Sequence, residues 1–152
     1  MSTGTIERTI DVGLDPPAVW ARVTDVSEVA SWLPILEHVT EREPMAAYDA
    51  VLQDRVGPFR LRADLAITVT EATEPTRLAI AAAGEDRQVR SRIAVDASLA
   101  LSPAETGSGT RLHLVGKYEV TGRVATLGAA TINSKARKLV DEFCTRAEAE
   151  LR

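Results

Sequence analysis

Between Pro34 and Val120 the apolar residues of this chain recur at every second position; beyond Gly122 they recur at every third or fourth. That change of period admits few folds. Alternation marks strands with one buried face, and steps of three and four mark a helix with one apolar stripe. The clearest run places Phe59, Leu61, Ala63, Leu65, Ile67 and Val69 on one face, against Arg60, Arg62, Asp64, Ala66, Thr68 and Thr70 on the other. Residues 35–43, 46–56, 77–83, 88–101 and 110–120 read the same way. Gly57-Pro58, Glu74-Pro75-Thr76, Gly84-Glu85-Asp86 and Thr106-Gly107-Ser108-Gly109 supply the turns between them. Short turns between consecutive strands make an antiparallel meander. The final stripe runs through Val124, Leu127, Gly128, Thr131, Ile132, Ala136, Leu139, Val140, Phe143, Ala147 and Leu151, which predicts one helix over 122–152 with Gly128 as its bend point. Such a helix is about 40–45 Å long and must cross the whole fold.

Ahead of the meander, residues 5–12 alternate as a first strand. Asp15-Pro16-Pro17 then combines an N-cap with proline in a first helical turn. Asp25 and Glu28 have capping-box spacing, and Pro34 ends a second short helix. The expected class is α+β, a curved antiparallel seven-stranded sheet wrapped around a long C-terminal helix, with two short helices after strand 1. The alternating faces need a cover, and only the long helix is large enough. A sheet bent around one helix tends to leave a cavity between them.

Composition narrows the function. The 152 residues suit a single domain over 1–152 with a sizeable core. The net charge of −4 argues against nucleic acid as a partner, because phosphate binding needs a basic surface. Cys144 is the lone cysteine and His38 and His113 the two histidines, so no metal site is expected and no cofactor is assigned. No run of 18 apolar residues occurs, and residues 1–5 lack a signal-peptide layout, so a cytoplasmic protein is expected. Aromatic residues make up only 4% and alanine is abundant, a composition that can leave room inside.

Motifs for nucleotide binding or for a serine nucleophile are missing. His38 and His113 read as solvated, and Cys144, near a helix C-terminus, reads as packing rather than a nucleophile. Alternation points Asp54 inward, although a strand end or bulge before Gly57-Pro58 that turns it to solvent is the expectation. Ser91 interrupts an inward face and is expected to bond nearby backbone. Arg87, Arg90 and Arg92 read as a solvated outer face. Lys135, Arg137 and Lys138 read as a basic patch balanced by Asp141 and Glu142. Trp32 either gates a cavity mouth or plugs the core.

Five segments carry a resemblance: the first strand leading into Asp15-Pro16-Pro17-Ala18-Val19-Trp20; Trp32-Leu33-Pro34; Val56-Gly57-Pro58-Phe59; Gly107-Ser108-Gly109-Thr110-Arg111-Leu112; and Leu127-Gly128 continuing to Lys138-Leu139-Val140-Asp141-Glu142-Phe143. Over nearly its whole length the chain resembles the carbon monoxide dehydrogenase CoxG family, within the START/Bet v 1/polyketide-cyclase superfamily of helix-grip folds. It departs where Ile35-Leu36 follow Pro34 in place of Gly-Cys, and in ending at Arg152 where family members carry a longer, membrane-associating C-terminus. The resemblance implies binding of a hydrophobic molecule, a lipid or a quinone, in an internal cavity. It implies service to a molybdenum hydroxylase complex, with peripheral contact at the inner face of a membrane, and it brings no catalytic motif. The expected ligand-binding residues are Trp32 and Leu33 at the mouth and Tyr48, Leu52, Leu65, Ile67 and Ile80 on the first inward faces. Ile93, Val95 and Tyr118 follow on later strands, and Leu127, Gly128 and Thr131 on the helix. A cyclase or hydrolase using Asp54, Ser91, Tyr48 and Tyr118 in the same cavity, and an interaction module with a filled interior, are the alternatives.

Overall fold

A computed structural model describes residues 1–152 with the exception of Thr106, so part of the turn expected at 106–109 lies outside the described residues. The elements are β1 (Ser2–Val12), α1 (Pro16–Val23), α2 (Val26–Ala30), β2 (Leu36–Glu43), β3 (Ala47–Val56), β4 (Phe59–Thr73), β5 (Arg77–Asp86), β6 (Ser91–Pro103), β7 (Thr110–Gly122), a 3-10 turn (Val124–Leu127) and α3 (Ala129–Glu150). All seven strands form one antiparallel sheet in the order β1-β7-β6-β5-β4-β3-β2. The fold is the expected one: α3 lies on the inner face of the sheet, packed mainly on β1, and the two short helices follow β1.

The short helices start where the sequence places their caps. The Ala18 amide donates to Asp15 at 3.1 Å and the Glu28 amide to Asp25 at 3.2 Å. Only half of the expected capping box forms, because the Asp25 amide donates to the Arg22 carbonyl and the Glu28 carboxylate turns to the Arg22 guanidinium. Arg22 also reaches Glu150, which ties both short helices to the end of α3. The hydrogen bonds from Arg22 hold the Glu28 carboxyl below its usual range. A carboxyl depressed in the folded state stabilises fully above its unfolded value of about 4.3, and that contribution is lost as the pH falls through the folded value. Both groups are partly solvated, so the contribution is small. Glu28→Gln is therefore expected to melt slightly below wild type at pH 7 and level with it near pH 3; thermal melts across that range check this.

The structure corrects the expected long helix. β7 continues to Gly122, and the helix proper begins only at Ala129, giving about 33 Å instead of about 40–45 Å. Gly122 and Gly128 have φ of 90° and 94°, a region that favours glycine and interrupts a helix. The 3-10 turn between them is pinned to the sheet, with the Arg123 amide donating to the Arg90 carbonyl at 3.1 Å and the Val124 amide to the Ser91 hydroxyl at 2.9 Å. Ser91 also donates to the Val89 carbonyl at 3.3 Å, the bond to nearby backbone that its sequence context suggests. A second correction concerns Gly84-Glu85-Asp86, which lies inside β5, while the turn comes at 87–90. Asp86 builds that turn by accepting from the Gln88 and Val89 amides at 2.9 and 3.1 Å. β6 accordingly begins at Ser91, later than the alternation from Gln88 suggests.

Two apolar clusters hold the fold. One joins Tyr48, Ala50, Leu52, Leu61, Ala63, Leu65 and Ile67 with Val120, Val124 and Ile132. The other joins Val12, Val19, Trp20, Val23 and Trp32 with Leu78, Leu101, Leu112, Ala147 and Leu151. They sit toward opposite ends of the inner face.

Candidate functional site

The register sets what lies between those clusters. One row across the sheet runs Ile6, Gly116, Ala97, Ile80, Val69; the next runs Gly4, Tyr118, Val95, Ala82, Ile67, Tyr48. The middle of both rows is small or half-buried. Ile80, Ala82, Ile93, Val95, Ala97, Leu99 and Leu114 are half-buried, while Leu78, Leu101, Leu112 and Val120 at the ends of the same strands are buried. A methyl group placed on Gly116 would touch nothing within 4 Å. The inner face is therefore apolar, and it is least covered at its centre.

Polar side chains bracket this face. The Asn133 amide donates to the Tyr118 hydroxyl at 3.1 Å, and the Tyr118 ring lies over Gly4, where a Cβ would collide with it. On the opposite side Lys135 Nζ stands 3.1 Å from Asp54 Oδ2, with side-chain exposures of 28% and 14%. Asp54 Oδ1 accepts from the Arg55 amide at 2.8 Å. This corrects the expectation that Asp54 turns to solvent. Pairing with β4 continues without a bulge to Val56 and Phe59, so alternation keeps the Asp54 side chain on the inner face. The basic patch is corrected too, since Lys135 pairs with Asp54, Arg137 donates to Asn133 at 2.8 Å, and Asp141 accepts from Arg8 at 2.9 Å.

Tyr48, Leu52, Leu65 and Ile67 are buried in the first cluster, with Ile80, Ile93, Tyr118 and Leu127 packed partly buried against it. Val95 is half-buried in the central row. The remaining expected site residues lie elsewhere. Trp32 is 3% exposed and packs against Phe143 with ring centres 5.7 Å apart and planes tilted by 54°, so it fills the second cluster instead of gating a mouth. Beside it is an apolar cavity of ≈ 10 Å³, about the space one water needs. Leu33 is half-buried in the turn after α2. Gly128 and Thr131 are exposed, because the helix starts at Ala129 and its buried stripe begins at Ile132. Asn133 and Lys135 escape recognition as inner-face groups for the same reason, since a stripe extended from residue 122 hides the true phase.

The other candidates are accounted for by packing. The Met45 amide donates to the Tyr48 hydroxyl at 3.0 Å. Burial pushes the Cys144 thiol up, so it is mostly protonated at neutral pH. His38 is exposed on β2, and His113 shares a hydrogen bond of 3.0 Å with Thr9 on the outer face. A recess of ≈ 690 Å³ on the outer face is lined by Arg62, Arg87 and Arg92 together with Asp64, Glu85 and Asp86, so its charges balance. Among the described residues no three His, Cys, Asp or Glu side chains are placed to hold a metal ion, and no helix is long and apolar enough to cross a membrane.

Comparison with known proteins gives the same picture of the fold. The family model of the carbon monoxide dehydrogenase protein CoxG matches residues 9–151. No curated protein matches the chain by sequence. Among solved structures, a conserved protein from Geobacillus kaustophilus is 21% identical over 98% of this chain and 94% of its own, with a TM-score of 0.83. A START superfamily protein from Mycobacterium smegmatis is 12% identical over 97% and 96%, with a TM-score of 0.67. Ara h 8.0201 is 13% identical over 93% of each chain, with a TM-score of 0.60. At these identities the structural likenesses speak for the fold alone.

Proposed function

Because the chain belongs to the carbon monoxide dehydrogenase CoxG family, we propose that it is a non-catalytic carrier of a hydrophobic molecule, a lipid or a quinone, held between α3 and the centre of the sheet. The molecule would be passed to or from a carbon monoxide dehydrogenase-type molybdenum hydroxylase, with transient contact at a membrane surface. The observation that carries the reading is the thin cover over the central rows, where Gly116 has open space above it and Ala97, Val95 and Ile80 are half-buried. Ligand sites are concave and mostly apolar, with a few placed polar groups, and this face has that composition. Of the four polar groups that a cyclase or hydrolase would use in the same place, Asp54 pairs with Lys135 and the other three accept hydrogen bonds within the fold. The Ser91 hydroxyl accepts from the Val124 amide, the Tyr48 hydroxyl from the Met45 amide and the Tyr118 hydroxyl from Asn133.

Native mass spectrometry with lipid extraction, on protein purified from its own host, tests the reading. A stoichiometric bound quinone or lipid is the expected result. A clean apo mass that stays unchanged after incubation with quinones and lipids would overturn the carrier reading and favour an interaction module.

A further inference from the structure

The arginines of this chain fall into two groups. Arg8, Arg22, Arg42, Arg77, Arg111 and Arg146 each hold an acidic partner. Arg55, Arg60, Arg62, Arg90, Arg92 and Arg123 are exposed and hold no ion-pair partner among the described residues. This second group gathers at one end of the sheet, around the β3–β4 turn, the β5–β6 turn and the residue after β7. Register and backbone bonding bring like charges together there. Arg55 stands directly opposite Arg60, and the Arg123 amide donates to the Arg90 carbonyl at 3.1 Å. Like charges in facing positions cost stability, although a chain of net charge −4 has acids to spare for pairing them. Even against Asp64, Glu85 and Asp86 the six arginines leave this end positive. We infer that it is a docking surface for an acidic protein face, whose carboxylates the unpaired guanidinium groups receive. The inference stands whether or not a hydrophobic molecule is carried.

Three observations select a protein over a bilayer or a nucleic acid. Asp64 and Glu85 lie beside Arg62 and Arg92 and are exposed. They would repel a surface made of phosphates alone, whereas a protein face can set a basic group against them. Arg62 and Arg92 also border the outer recess of ≈ 690 Å³, a concavity that a protruding side chain fills and a flat bilayer does not. The turns of this end expose no large apolar side chain for insertion between lipids. Phe59, Val89 and Leu127 pack partly buried against the first cluster, and Met1 is the exposed large apolar residue among those described. Stable attachment to a bilayer takes a second signal beside charge. Guanidinium groups match carboxylates with two parallel hydrogen bonds. β3 and β7 are four strand spacings apart, about 19 Å, so the contact is small and transient.

Binding of fluorescently labelled poly-L-glutamate, followed by anisotropy, tests the assignment. Wild type is expected to bind it in about 20 mM salt and to lose at least about tenfold in affinity by about 200 mM. Arg55→Gln, Arg60→Gln, Arg90→Gln and Arg123→Gln together are expected to weaken binding about tenfold or more at low salt. Their Tm is expected to hold or rise, because the facing charges are relieved. Arg42→Gln, Arg77→Gln, Arg111→Gln and Arg146→Gln make the same change in net charge at the other end of the sheet and of α3. That set is expected to leave binding within about twofold, since most of it lies beyond the screening length. Equal weakening by the two sets would reduce the effect to net charge and overturn the site, and no binding by wild type would overturn it outright. Tighter binding of phosphatidylglycerol vesicles or of oligothymidylate than of poly-L-glutamate, lost in the first set, would replace the protein partner with a phosphate surface. Dimers in low-salt sedimentation that the first set abolishes would replace it with a second copy of this chain. None of these results bears on the bound lipid or quinone sought by native mass spectrometry.

Discussion

Replacing Asp86 with alanine is expected to lower stability by about 3 kcal/mol, well beyond the loss of an exposed ion pair. Asp86 is 6% exposed and accepts from three backbone amides: Arg62 at 2.8 Å, Gln88 at 2.9 Å and Val89 at 3.1 Å. Two of these bonds shape the β5–β6 turn, and the third crosses to β4. Alanine leaves all three donors without their acceptor. A hydrogen bond to a charged group contributes roughly 1.5–3 kcal/mol, and water at this turn recovers part of the loss. The change corresponds to about 6–12 °C in Tm for a chain of this size. Asp86→Asn keeps one acceptor oxygen and is expected to lose roughly half as much. Urea melts of the two variants check the ranking. Equal stability of wild type and Asp86→Ala would mean that these amides find water freely and that the carboxylate does not organise the turn.

Asp86 also shows where reading a sequence stops. Gly84-Glu85-Asp86 has the composition of a turn, and composition cannot tell a turn residue from a buried acceptor that builds the turn after it. The strands themselves were legible, because period-two alternation with one buried face survives any amount of sheet twist. β4 alternates without a break from Leu61 to Ile67 in the sequence and in its burial. Asp15 and Asp25 were legible as caps for a similar reason: the cap bond is local and needs no tertiary context.

The candidate site was legible as an inner face only on its sheet side. Tyr48, Ile67, Ile80, Val95 and Tyr118 follow from alternation alone, and the register places all of them in or beside the central rows. The helix side failed because a stripe has no absolute origin. Steps of three and four run through Val124 and Leu127 as well as through Ile132, and only the positive φ of Gly122 and Gly128 shows that the first two are not in one helix with the last. Asp54 failed from the opposite error, since alternation gave its direction correctly and the expectation of a bulge overrode it. A carboxylate on an inner face reads as improbable until its partner is known, and that partner, Lys135, is distant in sequence. Trp32 could not be settled by sequence, because a tryptophan at a mouth and one in a core have the same neighbours along the chain.

Gly116→Phe is the change expected to act most strongly on function. Gly116 sits in the central row between Ile6 and Ala97, and nothing lies within 4 Å of where its Cβ would be. Its backbone is ordinary extended strand, so a side chain brings no conformational penalty there, and removal of a strand glycine favours folding. A phenylalanine on this face would lie over Ala97 and Val95 and occupy the volume assigned to the carried molecule. Ligand binding is therefore expected to weaken by more than about tenfold, while stability holds or rises by about 1 kcal/mol from the added apolar burial. Titration of the variant with the neutral apolar fluorophore N-phenyl-1-naphthylamine, paired with a urea melt, separates the two effects. The combination of lost binding and retained stability is what distinguishes an occupied cavity from a packed core. Overpacking a filled core costs about 1–3 kcal/mol, so a destabilised Gly116→Phe would argue that the space over the sheet closes in solution and would weigh against the carrier reading. A stable variant that binds the fluorophore as wild type does would place the ligand elsewhere on the molecule.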